Sequence, residues 1–190
     1  MGPIEKLVAE HEIILRGIDL LEKGADRLQD GKMVSPEYFR KLIDFIRSYA
    51  DKYHHAKEED ILFLEMNKVG FSSEGGPIAV MLYDHTQGRD LVAKMEKAND
   101  RYADGDKNAI PIIITNARNY ATLLKMHIQK ENVVLYPMAE NAMGEAGIAK
   151  MQPAFDKVEQ EKAETEKKYL AILNELESKK VLSTLVGTEA

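Results

Sequence analysis

Apolar residues recur at helical spacing through most of the chain. Between residues 3 and 30, Ile4, Leu7, Val8, Ile14, Leu15, Ile18, Leu21, Ala25 and Leu28 form one stripe that stops at Gly31, the pattern of a helix burying one face. Ser35-Pro36 reads as an N-cap followed by a first-turn proline, opening a second helix to about Lys68 with Phe39, Leu42, Ile43, Ile46, Ala50, Tyr53, Ile61 and Leu62 on its stripe. After a loop at Gly70 to Gly76, Pro77 starts a third helix to about Ala103, and Asp104-Gly105-Asp106 is a turn. A fourth helix runs to about Met143, with a kink predicted at Pro137 because proline lacks the N–H and crowds the preceding turn. Gly144 and Gly147 break the chain, a charged helix follows over 151–180, and the last ten residues are expected to fray. The predicted fold is all-α, an up-down-up-down four-helix bundle over residues 1–145, with an additional C-terminal helix in 146–190 packed on it or extending it.

Composition narrows the chemistry. The 190 residues carry 26 Lys and Arg against 32 Asp and Glu, a formal net charge of −6, so no cationic field exists to gather nucleic acid or anionic lipid. The longest apolar runs, Ile78 to Tyr83 and Ala109 to Ile114, fall far short of the ~18 residues of a membrane span. The first sixteen residues mix charge into the apolar positions rather than forming a targeting signal, and a cytoplasmic location is the expectation. With no cysteine there is no disulfide, thiolate zinc site or iron–sulfur cluster. Any metal must be held by nitrogen and oxygen, which directs attention to the five histidines.

Each helix of the predicted bundle carries a histidine on its apolar stripe: His11, His54, His85 and His127. Two of them are followed at the fourth position by a glutamate, His54 by Glu58 and His127 by Glu131, so that imidazole and carboxylate share one helix face. Buried carboxylates cost several kcal/mol unless a cation compensates them. His11 to His54 is a step of 43 residues and His85 to His127 one of 42, so the chain reads as two like helical hairpins, each giving a lone His and then a His-x-x-x-Glu. Facing each other, they supply four imidazoles and two bridging carboxylates, an inventory for two first-row metal ions. His55 turns by about 100° from His54 in an α-helix, toward Asp51 and Glu59, and is expected to be solvated or to stand behind a ligand. Tyr49, Tyr53 and Tyr120 lie on or beside the site-bearing stripes, chiefly as packing, with hydrogen bonds behind a ligand or a phenolate ligand as the alternative, and Arg89 is placed to pair with Glu58, Glu131 or an anionic ligand, or to stay solvated.

The strings Glu10-His11-Glu12, His54-His55-Ala56-Lys57-Glu58-Glu59-Asp60-Ile61-Leu62-Phe63, Asp84-His85-Thr86-Gln87-Gly88-Arg89 and His127-Ile128-Gln129-Lys130-Glu131 onward to Tyr136-Pro137-Met138 resemble the hemerythrin-like (HHE, cation-binding) family over about residues 4 to 143. The resemblance implies a non-haem pair of Fe ions, oxo- and carboxylate-bridged, with His11, His54, His85 and His127 as terminal ligands and Glu58 and Glu131 as bridges. It implies small partners, O2, NO or peroxide, and a role in oxygen, NO or oxidative-stress sensing or detoxification, with NO reductase or peroxidase-like turnover left open. A regulatory or iron-storing module without turnover is the alternative, with the final helix as its partner surface. Oxygen-carrying hemerythrins have two histidines one turn apart on the third helix, and here Arg89 takes the second place. The four-His, two-Glu set is similar to the repair-of-iron-centres proteins, although their cysteine-bearing N-terminal domain is missing. Imidazole and carboxylate also serve manganese and zinc. Ferritin-like bundles use Glu-x-x-His, and no histidine here has a glutamate three residues before it.

Overall fold

A computed structural model describes residues 1–178; the expected fraying of the last ten residues lies outside them. The chain is all-α. Helix α1 is Pro3–Gln29, α2 spans residues 36–68, α3 is Gly76–Ala103, α4 spans residues 110–149 after a 3-10 turn at Lys107–Ala109, α5 is Gln152–Glu161 and α6 is Ala163–Glu177. Each of α1 to α4 packs against the next and α4 returns to α1, closing a four-helix bundle, while α6 lies across α1 and α2. The expected single final helix is interrupted at Lys162, which leaves the helical region (φ −119°, ψ 23°). Among the described residues no helix is long and apolar enough to cross a membrane.

Local signals act as the sequence predicts at the helix ends. Ser35 Oγ accepts the Glu37 N–H at 3.2 Å, and Pro36 sits in the first turn. Gly31 follows the end of α1 with φ 74°, a left-handed conformation that glycine adopts without strain.

The interior of α2 departs from a plain α-helix. Residues Ile46–His55 and Glu58–Leu62 are π-helical, with the Ala56 N–H reaching the Asp51 carbonyl and the Phe63 N–H reaching that of Glu58. Helix α4 has the same feature at Glu131–Leu135, where the Tyr136 N–H reaches the Glu131 carbonyl. Such widened turns are rare and cluster at functional sites. The turn in α4 stands directly before Pro137 and makes room for the proline, so the helix continues and the non-helical break falls at Gly144 (φ 62°, ψ 173°) rather than at Pro137.

The apolar stripes do not merge into one core. One cluster holds Ile14, Ile18, Phe39, Tyr49, Tyr53, Val92, Leu124 and, from α6, Tyr169, Leu173 and Leu176. The other holds Leu7, Leu62, Phe63, Met81, Leu135, Tyr136 and, from α5, Phe155. His11, His54, His85 and His127 lie between them along the four helices, as a buried polar layer within the bundle.

Gly17 and Gly24, isolated glycines within α1, mark where α2 approaches closely. A Cβ on Gly17 would run into the Phe45 ring, and one on Gly24 would stand 2.6 Å from Tyr38 Cε1 and 3.1 Å from Phe39 Cζ. Alanine improves helix propensity by up to about 1 kcal/mol, while forcing buried rings aside costs about 1–3 kcal/mol. Gly24→Ala is therefore expected to lower stability by about 1 kcal/mol in equilibrium denaturation; a gain in stability would show that the rings have room.

Candidate metal centre

The two His-x-x-x-Glu faces and the two lone histidines converge in the polar layer. His11 Nε2 lies 3.0 Å from His54 Nε2, and His85 Nε2 lies 3.1 Å from His127 Nε2. The carboxylates stand between these pairs. Glu131 presents Oε2 at 3.2 Å from His11 Nε2 and Oε1 at 3.0 Å from His127 Nε2. Glu58 Oε2 is 3.8 Å from His54 Nε2 and 3.5 Å from His85 Nε2. All six side chains are buried. The six residues that the spacing selects are thus brought together, and each glutamate spans both histidine pairs.

The orientation of the imidazoles is set from behind. Three of them reach a carboxylate with the ring nitrogen that faces away from the centre: His54 Nδ1 to Glu10 Oε2 at 2.8 Å, His85 Nδ1 to Glu59 Oε1 at 2.7 Å and His127 Nδ1 to Asp84 Oδ2 at 3.3 Å. His11 Nδ1 is 2.8 Å from Asn132 Oδ1. An ionised carboxylate can only accept, so Nδ1 carries the proton and donates, and Nε2 points its lone pair inward in the neutral ring. This is the support that metal-binding histidines have in proteins generally.

That leaves nitrogen lone pairs aimed at carboxylate oxygens. Glu58 Oε2 and both oxygens of Glu131 accept no aligned hydrogen bond, although they are buried. Only Glu58 Oε1 is satisfied, by the Tyr136 hydroxyl at 2.7 Å. Unpaired buried carboxylate oxygens are expensive, and a cation between them and the imidazoles removes the cost. Without one, protons compensate. Burial and the neighbouring Glu131 push Glu58 well above the usual carboxylate range. Burial would raise Glu131 too, but attraction to His127 and His11 holds it well below. Burial opposes charge on His127, yet Glu131 and Asp84 outweigh it and raise the imidazole to about 9. Burial holds His54, His55 and His85 neutral.

Several neighbours were not visible in the sequence. His55, expected on the polar face, is buried and stacks on His85 with ring centroids 3.9 Å apart. The widened turn of Ile46–His55 rotates each residue by less than an α-turn, so His54 and His55 both face inward. His55 joins Glu58, His85 and His127 as a group whose ligand atoms lie within 4.8 Å of one another, and His11, His54 and Glu131 form a second such group. Arg89 pairs with Asp51 at 2.6 Å and Glu59 at 2.7 Å rather than with the central glutamates. Of the tyrosines, Tyr136 and not Tyr49, Tyr53 or Tyr120 reaches a central carboxylate.

The halves differ in access. A cavity of about 290 Å³ reaches the His85–His127 side; Ile46, Val92, Tyr120 and Leu124 are among its apolar walls, His55, His85 and His127 line it, and Arg89 and Asp51 belong to its rim.

Binding a divalent cation requires deprotonated donors and so expels protons. Loading the metal-free protein near pH 7 is expected to release at least the His127 proton, and the release should decline as pH rises through about 9. The same raised value means that, without a cation, the His127 charge stabilises the fold fully below the ordinary imidazole value and ceases to as pH passes about 9. Calorimetry in buffers of different ionisation enthalpy reads the proton count; loading near pH 7 with no proton release would contradict this charge assignment.

The profile of the hemerythrin HHE cation binding domain matches residues 2–139. Uncharacterized proteins of Mycobacterium bovis and Mycobacterium tuberculosis are 22% identical to this chain over 152 residues, 80% of its length. The chain spans 59% of the length of these curated relatives. No solved structure matches it. The chain therefore belongs to the hemerythrin HHE cation-binding family, and its buried imidazole and carboxylate groups form clusters that could hold metal ions.

Proposed function

We propose that the chain is a non-haem di-iron protein that binds or reacts with O2, NO or peroxide. His11 and His54 would hold one ion and His85 and His127 the other, with Glu58 and Glu131 shared between the two. The observation that carries this reading is the set of buried, unbonded oxygens on Glu58 and Glu131 facing imidazole nitrogens held in the ligating tautomer. Iron in that position supplies one-electron steps at each ion. The protein's own part is to exclude water, to fix the imidazoles, and to place the Tyr136 hydroxyl on Glu58, where it steadies one bridge. The cavity on the His85–His127 side, with Ile46, Val92, Tyr120 and Leu124 among its walls, would give a small ligand access to that half of the centre.

The reading of the final helix as a partner surface loses its basis, since Tyr169, Leu173 and Leu176 are buried against the bundle rather than forming an exposed stripe.

Ferrous loading under anaerobic conditions should give two irons per chain, and adding O2 and then NO should change the optical spectrum. Reversible change with O2 marks a carrier, irreversible oxidation a reactive site or sensor, and continued NO consumption a reductase. A stoichiometry well below two that ferrous loading does not restore would sink the proposal. Gly88 lines the cavity with its Cα facing Tyr120, and a Cβ there would stand 3.4 Å from Tyr120 Cε2. Gly88→Leu should fill the channel, slowing oxidation by O2 about tenfold or more in stopped flow while leaving iron content unchanged; an unchanged rate would place ligand entry elsewhere.

A further inference from the structure

Behind His54 lies a charged network that the bundle alone does not complete. Lys57 is fully buried, one residue before Glu58. Its ammonium group pairs with Glu10 Oε1 and, at 2.8 Å, with Glu159 Oε1, and it stands 3.7 Å from the centre of the Tyr53 ring. Glu10, also fully buried, gives its other oxygen to His54 Nδ1 at 2.8 Å. Glu159 belongs to α5, beyond the residues 2–139 that the family profile matches. It also accepts the Tyr53 hydroxyl at 2.7 Å and pairs with Lys6 at 3.1 Å, and Lys6 continues to Glu166 of α6 at 2.8 Å. Glu10, Glu159 and Glu166 lie close enough to be taken for a cation pocket, but two lysine ammonium groups already stand between them, so the cluster is an ion-pair network.

We propose that Lys57 is a positioning residue for His54 and that Glu159 holds it in place, so that a helix outside the bundle sets one half of the metal centre. The inference rests on the di-iron reading only for its metal arm. A buried ammonium needs more than one anionic partner to offset its lost hydration. Glu10 is shared between Lys57 and His54, and Glu159 meets part of the demand of Lys57. With Glu159 neutralised, Glu10 becomes the only carboxylate for that charge and accepts less strongly from His54 Nδ1, which makes Nε2 a poorer ligand. The other half does not depend on α5: Glu59 and Asp84, behind His85 and His127, are tied instead to Arg89 and Lys130.

The test uses the full chain with Glu159→Gln, Glu159→Asp, Lys57→Met and the Lys57→Met/Glu159→Gln pair. Glu159 is 32% exposed, so its own variants should fold even where Lys57→Met, which strands Glu10, does not. In the metal-free protein, the Nδ1 proton resonance of His54 should move in Glu159→Gln, return in Glu159→Asp, and leave that of His85 unchanged. In titration with cobalt(II) alone, Glu159→Gln should weaken one of two metal equivalents by about tenfold, the low end for groups behind a ligand, and spare the other. Adding Glu159→Gln to Lys57→Met should cost nothing further. An unmoved His54 resonance, equal weakening of both equivalents, or full additivity in the double variant would overturn the proposal. Failure of the unsubstituted chain to take up cobalt would overturn the metal reading instead, while the resonance of His54 still decides the positioning claim.

Discussion

The structure turns on two carboxylates buried at the middle of a helical bundle with nitrogen lone pairs aimed at them. Glu58 and Glu131 are both fully buried, and protein donors leave three of their four oxygens unbonded, a layer that apolar packing alone does not tolerate. Everything around them lowers that cost in advance of a cation. Four helices each contribute an imidazole, and the acceptor behind each imidazole keeps its proton away from the centre. Where no cation balances the glutamates, Glu131 and Asp84 outweigh burial and raise His127 to about 9, so that a protonated imidazole supplies balancing charge near pH 7. The polar layer divides the core in two, and the apolar clusters above and below it hold the helices so that the histidine pairs meet.

The backbone is shaped to the same end. Each glutamate of a His-x-x-x-Glu begins a π-helical turn, Glu58–Leu62 in one hairpin and Glu131–Leu135 in the other. The likeness between the hairpins, first seen as nearly equal histidine spacings, therefore extends to the local backbone. The acceptors follow a pattern too: Glu10, Glu59, Asp84 and Asn132 each adjoin one of the six central residues in sequence, and each serves a histidine on a different helix. A short string such as Glu10-His11 or Glu58-Glu59 thus supplies an inward group for one contact and support for another.

This explains what was legible in the sequence. Helical period and punctuation expose the bundle because they are local, and His-x-x-x-Glu exposes the central six because a helix face is fixed by spacing. His55 is buried rather than solvated because Ile46–His55 forms a wider turn than an α-helix, and nothing in those residues announces it. Arg89 and Tyr136 depend on how helices approach one another, which no single stripe records. Lys57 was hidden for a different reason: a lysine within a charged string reads as solvated surface, and its burial depends on Glu10 of α1 and on one carboxylate that arrives about a hundred positions later, Glu159 of α5.

The two half-sites, alike in sequence, are unlike in surroundings. Around His11 and His54 stand Tyr136, Asn132, Lys57 and the helices α5 and α6, which close that side with hydrogen bonds and ion pairs. Around His85 and His127 there is a cavity lined by both apolar residues, such as Ile46, Val92 and Leu124, and charged ones, such as Asp51, Lys52 and Arg89. In the proposed two-ion centre, a symmetric set of side chains sits in asymmetric walls: the His11 and His54 half is closed by hydrogen bonds and ion pairs, and the His85 and His127 half faces the cavity. The C-terminal helices make that division, since they cover one face of the bundle and leave the other open. An internal repeat of two hairpins becomes a centre with direction through the part of the chain that does not repeat.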